Sequence, residues 1–124
     1  MGKSTLKANR TLLWTNPDTS VAFAPQTITL DLSKYSLIEI DCLASTGTID
    51  TKVEYCPVGE DAMATYISGG NGYGLSTPFI SQRRFRTTTS GVQVLQGLGA
   101  FTGANSYGYN SDTRMIPHKI YGIK

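Results

Sequence analysis

The sequence predicts an all-β fold, an antiparallel β-sandwich of jelly-roll-like type. Thr, Val, Ile and Tyr are prominent where a helical protein would be rich in Glu, Lys, Ala and Leu, and charged residues make up only 16%. Apolar and polar residues alternate with a period of two in several short runs, as in strands that bury one face. Clusters of Gly, Asn, Ser and Pro separate these runs at short intervals. A chain of 124 residues is long enough for one domain and one core.

Residues 1–9, MGKSTLKAN, are polar and read as a flexible N-terminal arm, which leaves 10–124 as a single sandwich domain. RTLLWT, residues 10–15, is a short strand closed by the turn signal Asn16-Pro17-Asp18. In TITLDL, residues 27–32, Ile28, Leu30 and Leu32 alternate with Thr27, Thr29 and Asp31. LIEIDCLASTGTIDTKVEYC, residues 37–56, reads as a hairpin. With Thr46-Gly47 as its turn, Ile38 faces Tyr55, Ile40 faces Val53, Cys42 faces Thr51 and Asp41 meets Lys52. That register places Cys42 in the core and Cys56 at an edge or on the surface, on opposite faces and five ladder positions apart. At ~3.3 Å per position the two exceed the ~7 Å reach of a disulfide and read as free thiols.

GEDAMATY, residues 59–66, is the one stretch with helical flavour, and SGGNGYG, residues 68–74, reads as a loop. QRRFRTTTSGVQVL, residues 82–95, forms a second hairpin around Ser90-Gly91. Phe85, Thr87, Val92 and Val94 share one face of it, and Arg84, Arg86 and Gln93 share the other. HKIYGI, residues 118–123, is a final strand with Ile120 on one face and Tyr121 and Ile123 on the other. The expected core is Leu12, Trp14, Phe23, Ile28, Leu30, Ile38, Ile40, Val53, Tyr55, Phe85 and Ile120.

Little in the chain points to catalysis, and the expectation is a protein that is not an enzyme. His118 is the only histidine, and no G-x-S-x-G elbow occurs. One His and two separated Cys do not supply a transition-metal site. Asp41, Asp50, Glu60 and Asp61 match no calcium loop, so neither a metal nor another cofactor is expected. Glu39 and Glu54 would lie opposite one another in the hairpin, closer than glycosidase carboxylates sit, and read as solvated strand charges. Arg83-Arg84-Phe85-Arg86 is basic with an aromatic between, yet the net charge is only +2 and no RNA- or DNA-binding motif accompanies it. A solvated sheet face that discourages edge association explains the run, and no nucleic-acid partner is expected. The glycines at 69–74 and 97–99 lack the Gly-Lys-Ser/Thr ending of a phosphate loop. No run approaches the ~18 apolar residues of a membrane-spanning helix, and no apolar stretch follows the basic N-terminus to make a secretory signal.

The unusual feature is a pair of Gly/Asn/Ser/Tyr tracts, GGNGYG at 69–74 and GLGAFTGANSYGYNSDT at 97–113. They hold Tyr73, Tyr107 and Tyr109 with Asn71, Asn105, Asn110 and Asp112 close by. Tyr offers a flat apolar face with a polar tip, Gly permits unusual turns, and Asn and Ser supply adaptable hydrogen bonds, the mixture that antibody loops use. Sugars need the same mixture, because their C–H faces stack on rings while their hydroxyls pair with Asn and Asp. These seven residues are the candidate ligand-binding set.

The order of motifs carries a resemblance. Leu13-Trp14-Thr15-Asn16, Phe23, Thr27-Ile28-Thr29-Leu30, Arg84, Ser90-Gly91-Val92, Ile116-Pro117 and Ile120-Tyr121-Gly122-Ile123 follow one another over nearly the whole chain. That ordered set resembles the C-terminal β-sandwich domain of minor structural and tail-fibre-like proteins of tailed bacteriophages, mostly phages of Gram-positive bacteria. The resemblance implies a virion component made in the host cytoplasm and placed at the tail, baseplate or a fibre. Its implied partners are other virion proteins and further copies of the chain, as a trimer; it fixes no ligand, and host cell-surface polysaccharide is the partner expected from the tyrosine tracts. It implies no catalytic residues. A capsid-decoration or assembly protein with no host ligand is the alternative.

Overall fold

The computed structural model describes residues 9–46, 51–68, 79–101 and 109–124, and of Ser68, Phe79, Ala100, Phe101, Tyr109 and Asn110 the backbone alone. The described strands are β1 (Arg10–Thr15), β2 (Gln26–Thr29), β3 (Leu37–Ser45), β4 (Thr51–Pro57), β5 (Asp61–Ser68), β6 (Phe79–Thr88), β7 (Gly91–Phe101), β8 (Tyr109–Asn110) and β9 (Arg114–Ile123). One sheet has the order β1-β9-β3-β4 and the other β2-β7-β6-β5. The two-residue β8 pairs with β7 at Leu98 and Gly99, farther along β7 than the Gly91–Val94 stretch that β2 occupies. Every pairing is antiparallel. The molecule is an antiparallel β-sandwich. Its first three strands alternate between the sheets, which is its jelly-roll-like part; β3–β4 is then a hairpin and β5–β6–β7 a meander.

The core lies between the sheets. Ile38, Ile40, Cys42, Cys56 and Ile120 come from the first sheet, and Ile28, Ala64, Phe85, Val92 and Val94 from the second. Phe23 and Leu32 close it from the loops, and Trp14 meets Phe23 edge-on with ring centroids 5.9 Å apart. Thr87 ties the β4–β5 turn to the second sheet: its hydroxyl accepts the Gly59 N–H at 2.8 Å and donates to the Glu60 carbonyl at 2.9 Å.

The second hairpin has the expected faces, with Phe85, Thr87, Val92 and Val94 buried and Arg84, Arg86 and Gln93 exposed. Its turn is Thr89-Ser90, because Thr88 pairs with Gly91 and Phe85 with Val94. That register differs by two from one centred on Ser90-Gly91, and an even slip leaves every side chain on its own face.

The first hairpin differs by one, and an odd slip inverts a strand. Ile38 pairs with Cys56, Glu39 with Tyr55, Ile40 with Glu54, Asp41 with Val53 and Cys42 with Lys52. Val53 and Tyr55, expected in the core, are therefore exposed, and Cys56, expected at an edge or on the surface, is fully buried. The expected Asp41–Lys52 and Glu39–Glu54 juxtapositions do not form. Cys42 and Cys56 share the inner face four positions apart, about 13 Å at the strand rise, and both are free thiols.

Three further expectations are corrected. Leu12 is 50% exposed, because a bulge between Leu12 and Trp14 sends Leu12 outward while Leu13 and Trp14 pack on the core. Residues 61–66 of the stretch with helical flavour belong to strand β5, in which Ala62, Ala64 and Tyr66 point inward and Met63 and Ile67 outward. The final strand starts at Arg114, earlier than expected, with His118 in a bulge opposite Asp41 and Cys42.

Candidate functional site

Tyr73, Asn71, Tyr107 and Asn105 lie outside the described residues, as do residues 1–8 of the N-terminal arm, Gly47 of the expected turn and residues 69–74 of the expected loop. The described flanks show how the second tract is held. Residues 97–101 are not loop but the end of β7, and Tyr109 and Asn110 return along it as β8, so the tract rides on a β7–β8 hairpin. The hairpin is anchored where Ser111 N–H donates to the Gly97 carbonyl at 2.8 Å. A side chain at Gly97 would collide with the Ser111 carbonyl, so glycine is what allows this approach.

Asp112, the remaining candidate, turns one carboxylate oxygen inward while its side chain stays 30% exposed. Its carboxylate lies 3.7 Å from the Arg83 guanidinium, and its carbonyl accepts the Phe23 N–H at 2.9 Å. Arg83 is buried, a correction to the reading of residues 83–86 as a solvated face. It donates Nε to the Leu95 carbonyl at 2.7 Å, one terminal nitrogen to the carbonyls of Asp112 (3.3 Å) and Arg114 (3.2 Å), and the other to that of Phe23. Burial pulls its pKa down and the Asp112 charge opposes that shift. Arg83 thus pins the β1–β2 loop, β7 at Leu95 and the chain entering β9 at one point, and the base of the tyrosine hairpin is built on it.

The outer face of the first sheet holds a second cluster that the sequence reading missed. Glu39 is only 3% exposed although it faces outward. Arg10 covers it, donating to the carboxylate at 2.6 Å while its guanidinium lies over the Tyr121 ring, 3.9 Å from the centroid. Asp41 stands two residues along the same face, and burial, a hydrogen bond with Glu39 and the Glu39 charge push its pKa up to about 7, against the opposing pull of Arg10 and Lys119. One Asp41 oxygen is buried without a hydrogen-bond partner. Tyr55, 44% exposed, stands opposite Glu39, and its pKa is raised by burial of the phenol first and then by the Glu39 charge. With Leu12 and Val53 exposed beside these groups, this face combines tyrosine rings, apolar surface and closely held carboxyls. The signal for it was the β3–β4 register, since the one-residue slip brings Tyr55 to Glu39 in place of Glu54.

Among the described residues no three His, Cys, Asp or Glu side chains gather in a metal-binding group. Nor does any described helix have the length and apolar character to cross a membrane. His118 is half-buried in its bulge, and its carbonyl accepts the Asn16 N–H at 2.8 Å. Comparison with protein-family models, with curated proteins and with solved structures finds no match to this chain.

Proposed function

We propose that this chain is a bacteriophage virion structural protein, a tail, baseplate or fibre accessory domain that contributes to recognition of host-surface glycan. One observation carries the reading: the resemblance motifs at the two ends of the chain, with Trp14 and Asn16 in one and Pro117 and Ile120 in the other, meet in space. Trp14 pairs with Ile120 in the β1–β9 ladder. Asn16 closes the junction, with its side-chain amide donating to the Pro117 carbonyl at 2.9 Å and its N–H to that of His118. Trp14 rests on Phe23, and Gly122 leaves space for the Tyr35 ring, which a side chain there would strike. The first and last motifs are thus packed together with Phe23, the kind of signature a domain family would keep. The glycan-binding role falls to Tyr73, Tyr107 and Tyr109 with Asn71, Asn105, Asn110 and Asp112, of which Tyr109, Asn110 and Asp112 belong to the braced β7–β8 hairpin region. The domain works without catalysis, as a trimer held among other virion proteins.

Antibodies raised against the chain and applied to particles of the phage that encodes it test the placement by electron microscopy. Label at the tail tip or fibres is expected. Label confined to the head would overturn the tail reading in favour of capsid decoration.

A further inference from the structure

The geometry points to a binding cleft for an anionic saccharide, a sugar unit carrying a carboxylate or phosphate, on the outer face of β5, β6 and β7; this deepens the glycan reading and rests on it. β6 and β7 pair at Arg83 and Gly97 and again at Phe85 and Val94, so Arg84 stands opposite two residues, Leu95 and Gln96. Such a bulge bends the strand and interrupts the ladder. An open cleft of about 400 Å³ lies there, lined by Met63, Gln82, Arg84, Leu95, Gln96 and Leu98 among others, which falls within the ~300–1,000 Å³ of ligand sites. Its floor is fixed before any ligand arrives, because Arg83 holds the Leu95 carbonyl from below at 2.7 Å.

The lining selects the ligand class. It contains no carboxylate. Arg84 is exposed and makes no ion pair among the described residues, whereas Arg10, Arg83 and Arg86 each face a carboxylate. A free guanidinium offers a planar fork that matches a carboxylate or phosphate. Gln82 donates its amide to Thr65 Oγ1 at 3.3 Å, which leaves its carbonyl oxygen to accept from a hydroxyl. Gln96 is exposed and offers both a donor and an acceptor. Met63, Leu95 and Leu98 supply apolar surface for the C–H face of a sugar ring. One exposed cation, two amides and an apolar wall, above the buried Arg83, suit a hydroxylated ring with a single negative group.

Amide NMR titrations of the purified full chain test this with glucuronate, glucose-6-phosphate, glucose and inorganic phosphate, on the parent and on Arg84→Gln and Met63→Glu. Arg84 and Met63 are exposed, so both variants should keep the parent spectrum away from the cleft. Both anionic sugars should shift the amides of residues 82–84 and 95–98 saturably. Glucose and inorganic phosphate should each bind about tenfold more weakly, Arg84→Gln should weaken the anionic sugars about tenfold, as expected for loss of one charge-assisted contact, and Met63→Glu should abolish their shifts. Unchanged cleft amides, an unaffected Arg84→Gln variant, or inorganic phosphate binding as well as the sugars would each overturn the cleft. Sugar shifts confined to the β7–β8 hairpin would overturn it too, yet leave the glycan reading standing.

Discussion

Arg83 directs hydrogen bonds at the carbonyls of Leu95, Asp112, Arg114 and Phe23, segments far apart in sequence. Removing one partner of a buried charged network typically costs about 3–5 kcal/mol. Arg83→Met should therefore lower the unfolding free energy by that amount in urea titrations, and a loss below about 1 kcal/mol would contradict the clamp. Ile40, fully buried between the sheets, should cost about 2–5 kcal/mol on truncation to Ala, read by the same titration. Asp41 gives the protein a pH signature. Its carboxyl rises from the ordinary value near 4 to about 7, so the folded state binds the proton more tightly than the unfolded chain. This contribution is present in full below about pH 4 and is lost as the pH climbs towards 7. Denaturation midpoints should fall over that window, and Asp41→Asn should flatten the fall; an unchanged profile in the variant would remove Asp41 as its source. Parity alone could have located Arg83, since residues 83, 85 and 87 share a face and Phe85 was read as core. A buried arginine is uncommon, which is why the basic run reads as a solvated surface in the sequence.

The strands differ in how far the sequence revealed them. β1 was legible to the residue because Asn16-Pro17 ends it and Arg10 begins it. The bulge at Leu13 was not, since nothing in LLW says which leucine turns outward. The β6–β7 faces were legible because any even register preserves them. The β3–β4 faces were not, because ASTGTID contains more than one possible turn and an odd slip inverts β4. β5 was not legible because two of its inward residues are Ala62 and Ala64, and alanine gives a weak alternation signal. The register of β4 has a direct chemical test. With Cys56 and Cys42 both buried, and burial the leading cause that raises each thiol's pKa, neither should react with a maleimide in the native protein, and both should react once it is unfolded. Rapid native labelling of Cys56 would restore the inverted register.

At the scale of the whole molecule, the sandwich presents two different outer faces. One holds Arg10, Glu39, Asp41, Tyr55 and Tyr121, and the other the cleft around Arg84. The β7–β8 hairpin extends from the second sheet and is braced through Arg83 and Gly97. Composition and alternation were enough to read the all-β class. The pairing order was not legible, because strands that neighbour in a sandwich can lie far apart in sequence, as β1 and β9 do. Trimeric assembly, the proposed state, predicts a solution mass three times that of the chain by light scattering, and a monomer at all concentrations would contradict it. The proposal as a whole turns on whether the protein recognises a bacterial surface. Its most direct test is binding of fluorescently labelled protein to host-type Gram-positive cells, beside a folded variant carrying Tyr73→Ala, Tyr107→Ala and Tyr109→Ala. The account predicts saturable binding by the parent and loss of at least about tenfold in the variant, roughly the effect of 1.4 kcal/mol. Equal binding by the two would contradict the tyrosine tracts as the recognition site, and no binding by either would contradict the host-recognition role itself.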